Sequence, residues 1–133
     1  MQADKMKVNK IKVATREGPL LDEWAARADK LVPYREEGHK RYWLVDLPNK
    51  PANIIGPAPK GIPPELRYSP STNWSQGGPI IDREEIELVH RNGMDGLTLW
   101  AIKDNVIMRG ETKLIAAMRA YVVSKFGEEV DEI

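Results

Sequence analysis

The chain has 133 residues, 41% of them hydrophobic and 30% charged, which suits one packed globular domain and not a disordered chain. Lys plus Arg equals Asp plus Glu at 20 each, so no net positive field draws the protein toward nucleic-acid backbones or anionic membranes. With no cysteine, disulfides, thiolate catalysis and cysteine-based zinc sites are all excluded.

Residues 7–14 alternate loosely, with Val8, Ile11 and Val13 as apolar members, and predict a first strand. Gly18-Pro19 then opens a helix, because proline at the first helical position gives up an N–H that has no partner there. Leu21, Trp24, Ala25, Ala28, Leu31 and Val32 follow at helical spacing. Asp22 and Glu23 near its start and Arg27 and Lys30 near its end complement the helix dipole. The helix is expected over residues 19–31, stopped by Pro33.

Residues 42–47 carry Tyr42, Trp43, Leu44, Val45 and Leu47, enough aromatic and branched character for a short strand. Eight of the ten prolines then fall between Pro48 and Pro79. Proline cannot donate to a ladder, so this stretch is expected to be extended coil and turns, with an arm at about residues 48–67. Residues 68–81 read YSPSTNWSQGGPII, with Pro79 expected to start a single helical turn.

A hairpin follows. Residues 86–90 and 97–103 alternate, and Asn92-Gly93 with Asp95-Gly96 supply turn residues. Residues 106–108 predict a further strand after a turn at Asp104-Asn105. The last helix is the clearest element: Thr112 is its N-cap, Leu114, Ile115, Met118, Tyr121, Val122 and Phe126 share one face, and Gly127 stops it. The acidic residues 128–133 are expected to fray. Strand, helix, strand, loop, two or three strands and helix together predict an α+β fold, a small antiparallel or mixed sheet covered by two helices with a long Pro-rich loop.

The run Ser71, Thr72, Asn73, Trp74, Ser75, Gln76, Gly77, Gly78, Pro79, Ile80 and Ile81 resembles the hallmark of the phage NinX family, found in lambdoid and related phages. Residues 21–25 (LDEWA) resemble its first helix, with Glu23 as an extra residue. Residues 114–119 (LIAAMR) with Tyr121 and Val122 resemble its C-terminal helix. Residues 35–66 are longer and richer in proline than the family pattern. The resemblance implies a single domain over residues 1–133, a phage or prophage origin, a non-structural accessory role and the bacterial host cytoplasm as location. It assigns no functional residue.

Two readings compete for the motif. In the structural one, Trp74 plugs the core, Ser71 and Thr72 cap a turn, and the glycines take positive φ. In the binding one, Tyr68, Ser71, Thr72, Asn73, Trp74 and Gln76 surround a small polar ligand or nucleotide, while exposed N–H groups at Gly77-Gly78 hold an anion. Arg83 and Arg109 would add charge, although each, like Arg119, suits a solvated surface as well. Trp100 could stack on a ring but is better placed beneath a helix.

Catalytic readings are weaker. His39 and His90 have no metal-ligand spacing, and Asp82, Glu84, Glu85 and Glu87 suit a solvated acidic face. No phosphate loop or nucleophile elbow is present. No catalytic residue, metal or cofactor is therefore expected. A binding module leads. The alternative is an inhibitor or adaptor of a host protein using the Pro-rich arm. Nucleic-acid binding is disfavoured, no membrane partner is expected, and Ile54, Ile55 and Ile62 offer a surface for a second copy of the chain.

Overall fold

A computed structural model describes residues 9–33, 43–47, 53–56, 66–93 and 96–131. Outside the described residues lie the start of the first predicted strand, His39, Tyr42, Asp95, the last two residues and most of the arm at 48–67, Ile62 included.

The first strand, β1, is short, Lys10–Lys12, because Val13–Thr15 coils into a 3-10 turn that buries Val13. Helix α1, Gly18–Ala28, opens at Gly18-Pro19 as expected. It ends before residue 31, and Pro33 is not what stops it. Lys30 takes φ 64°, its N–H donates to Arg27 O and the Leu31 N–H donates to Ala26 O. That left-handed turn satisfies the last carbonyls of the helix.

Strands β2, Trp43–Val45, and β3, Asn53–Ile55, pair antiparallel. The expectation of coil and turns through the prolines missed β3, which lies within the five-residue gap between Pro51 and Pro57. Arg67 forms a parallel bridge with Ile54, and the Tyr68 N–H donates to Ile54 O. Helix α2, Trp74–Arg83, is a full ten-residue element and not a turn begun by Pro79.

Strands β4, Glu87–Gly93, β5, Gly96–Lys103, and β6, Val106–Gly110, form a three-stranded antiparallel meander. Its register sets Leu88 opposite Ala101 and Ala101 opposite Met108, and these three meet the core. Helix α3, Lys113–Phe126, lies on that face and also packs against α1. Thr112 caps it by accepting the Ile115 N–H at 3.1 Å, and Gly127 ends it at φ 92°. The one-faced stripe understates its burial, since every residue from Leu114 to Val123 is inside.

The expected fraying of residues 128–133 is corrected by β7, Glu129–Asp131, which pairs antiparallel with β1 and buries Val130. The fold is α+β as expected, with three α-helices and three small antiparallel sheets among the described residues. The main core surrounds α3. A second core joins Ala26 of α1 to Val45, Ile55 and Tyr68. Helix α1 is thus wedged between two cores, which is why its buried arc is wider than one stripe.

Candidate functional site

Most polar groups of the motif hold the chain in shape. Asn73 caps α2, accepting the Ser75 N–H at 2.9 Å and the Ser75 hydroxyl at 2.7 Å. The Gln76 amide reaches back across the turn: its oxygen accepts the Ser69 N–H at 2.5 Å and its nitrogen donates to Arg67 O at 2.6 Å. With the helix capped at Asn73, Gly77 and Gly78 fall inside it. Neither has positive φ, and the Gly77 N–H donates to Asn73 O. The expected anion cradle at Gly77-Gly78 is therefore not formed. Gly77 has a packing role instead, because a Cβ there would collide with the Pro70 carbonyl and come within 2.6 Å of Leu114 Cδ2.

The structural reading of Trp74 is corrected as well. At the first turn of α2 its indole stays 52% exposed and does not enter the core. It forms one wall of a cleft of about 410 Å³, lined also by Ser71, Thr72, Glu111, Thr112 and Lys113, with Leu99 and Leu114 as its apolar members. The cleft opens beside the N-terminus of α3.

On the inner side of the same turn lies a group that sequence reading missed. Asp22 was read only as a charge that complements the dipole of α1, yet it is 3% exposed. Its Oδ1 accepts the Ser71 N–H at 2.9 Å. Burial pushes the carboxyl up from 3.8 to about 7, and its hydrogen bonding to Ser71 only partly offsets this. Tyr68 is 6% exposed, and among the described residues its hydroxyl has no hydrogen-bond partner. Burial, then the negative charges of Asp29 and Asp22, raise the pKa of that hydroxyl. The only local signal for this arrangement was the position of Asp22 beside Leu21, within one turn of Ala25 and Ala26.

The remaining candidates lie elsewhere. Arg83 donates to Asp29 at 2.5 Å, to Glu84 at 2.8 Å and to the Tyr121 hydroxyl at 3.1 Å. Tyr121 in turn donates to Asp29. Glu84 also meets Lys103 at 3.3 Å and Lys125 at 3.8 Å, so it leaves the expected solvated acidic face, whereas Asp82, Glu85 and Glu87 stay exposed. The hydrogen bond from Arg83 is the main cause of the lowered Glu84 pKa.

Trp100 does not lie beneath a helix. It pairs with Val89 and Arg109 on the sheet face turned away from α3, and the Arg109 guanidinium sits 5.1 Å from its ring centre. Arg119, expected at the surface, is buried and donates to Arg16 O and Arg109 O at 2.9 Å each. The structure thus brings Ser71, Thr72 and Trp74 together and separates them from Arg83 and from the Trp100–Arg109 pair.

Among the described residues no group of three His, Cys, Asp or Glu side chains is placed to hold a metal ion, and no helix is long and apolar enough to cross a membrane. His90 is exposed on β4. A family model described as Bacteriophage P22, NinX matches residues 12–125. Comparison with curated proteins finds no match.

Proposed function

The chain belongs to the phage NinX family, which makes it a phage accessory protein, and on that premise we propose that it is a non-catalytic binding module whose Trp74 cleft takes a small polar ligand or nucleotide. The observation that carries this reading is the exposed indole of Trp74 at the wall of the cleft. A large aromatic held out of the core, beside two threonine hydroxyls and a lysine, supplies a stacking surface with polar groups at its edge. A volume of about 410 Å³ lies within the usual range for small-molecule pockets. Lys113 and the start of α3 add positive potential where a phosphate would sit. Sequestration of a host signalling nucleotide is a role such a module would serve in the host cytoplasm.

A thermal-shift screen with mononucleotides, cyclic oligonucleotides and ADP-ribose tests it. A ligand at 100 times its Kd adds about 2.7 kcal/mol of stability, a resolvable rise in Tm. The rise is expected in the wild type and lost in Trp74→Ala, whose fold the exposed site leaves intact. No shift with any compound sinks the reading.

A second reading, an inhibitor or adaptor of a host protein, is favoured by the outer sheet face. Val89, Trp100, Ile102 and Ile107 line an open apolar surface there, and Ile107 is 58% exposed. Ile107→Asp should abolish capture of a host partner in a pull-down if this face binds it, and leave nucleotide shifts unchanged.

A further inference from the structure

Between the first turn of α1, β3 and the segment leading into α2 lies a cavity of about 220 Å³. It touches the Trp74 cleft through Thr72 alone. Its walls carry opposite charges that do not neutralise each other: among the described residues no ion pair joins Asp22 to Arg67, although both line it. Asp22 is the buried member and Arg67 the exposed one. Gly18 and Pro19 complete the wall on the helix side, and the Glu17 side chain makes no capping hydrogen bond to the first N–H groups of α1. Tyr68 lines the cavity too, buried and with its hydroxyl unpartnered among the described residues.

A carboxylate buried with Ser71 as its hydrogen-bond partner, and a phenol buried with none among the described residues, are costly in a folded protein, and a ligand that supplies an opposite charge and a hydrogen bond recovers that cost. The group complementary to Asp22 is an ammonium. The group complementary to Arg67 and an uncapped helix N-terminus is a carboxylate. We propose that this cavity binds a small zwitterion, a free α-amino acid or a molecule of that size, its ammonium on Asp22 and its carboxylate toward Arg67 and the start of α1. The volume is below the ~300 Å³ at which drug-sized pockets begin, which excludes a whole nucleotide and suits an amino acid with a short side chain. Tyr68 and Thr72 hydroxyls supply further polar contacts.

Isothermal titration at pH 8 with glycine, L-alanine, L-serine and L-threonine tests this, with methylamine and acetate as half-ligands. At least one amino acid is expected to bind, with methylamine and acetate each at least tenfold weaker. Asp22→Asn keeps an oxygen for the Ser71 N–H and removes the charge. Arg67→Gln changes an exposed side chain and so reads the site whether or not the Asp22 variant folds. Each should weaken binding at least tenfold, while Trp74→Ala leaves it unchanged. Absence of binding by all four amino acids overturns the proposal, as does unchanged affinity in Arg67→Gln or methylamine binding as tightly as the amino acids.

Discussion

The backbone N–H of Ser71 donates to Asp22 Oδ1 across 2.9 Å, tying α1 to the turn that precedes α2. The bond fixes that turn from the inside, so the motif and the first helix form one unit. It also ties stability to pH. The folded protein holds a proton on Asp22 up to about pH 7, whereas the unfolded chain releases it near 3.8. The contribution of this group is therefore complete below pH 3.8 and declines as pH rises toward 7, by at most about 1.4 kcal/mol per pH unit. Asp22→Asn should flatten that decline and be the more stable protein at pH 8. Urea melts of both proteins at pH 5, 6, 7 and 8 give the difference directly, and parallel curves would refute it.

Two adjacent glycines should respond oppositely to alanine. Gly77→Ala drives a methyl into the Pro70 carbonyl and Leu114, a backbone contact that cannot swing aside, and should cost about 1–3 kcal/mol. Gly78→Ala meets only Trp74 Cε3 at 3.8 Å and should gain about 0.5–1 kcal/mol from helix propensity. Denaturant midpoints of the pair measure the contrast.

Lys30 closes α1 with φ 64°, a left-handed conformation that costs a side-chain-bearing residue about 1 kcal/mol. Lys30→Gly should therefore raise the denaturation midpoint, while Lys30→Ala should not. Equal effects would place the gain in the charge instead of the backbone.

Elements set by neighbouring residues were legible in the sequence. Thr112 and Gly127 mark the limits of α3 because a cap is local chemistry, and the alternation of residues 86–90 and 97–103 shows the hairpin for the same reason. The structure carries strand out to Gly93 and resumes it at Gly96, so Asn92, Gly93 and Gly96 belong to the strands and not to the turn. Long-range contacts left no such trace. Gly-Gly-Pro argues against a helix, yet α2 forms through them because Asn73 caps it and Ile80 anchors it in the core. Of the candidate site, the Trp74 block was visible from composition. The burial of Asp22 was not, since it depends on β3 and Tyr68 closing the far side of α1.

Strand β7 is such a long-range element, and Val130 is its buried residue, facing Ile11 of β1. Val130→Ala should cost about 2 kcal/mol. Amide exchange should show Val130 and Ile11 losing protection together in that variant, and loss at Val130 alone would separate the two strands.

That pairing also orders events in time. Strand β1 leaves the ribosome 121 positions ahead of its partner, as the exposed Lys10–Asp131 ion pair records. The hairpin of β4 and β5 can close as soon as it emerges, but β1 waits unpaired until the three helices and the meander between it and β7 have been synthesised. Its charged composition, lysines on either side of one isoleucine, keeps that waiting edge from recruiting other nascent chains.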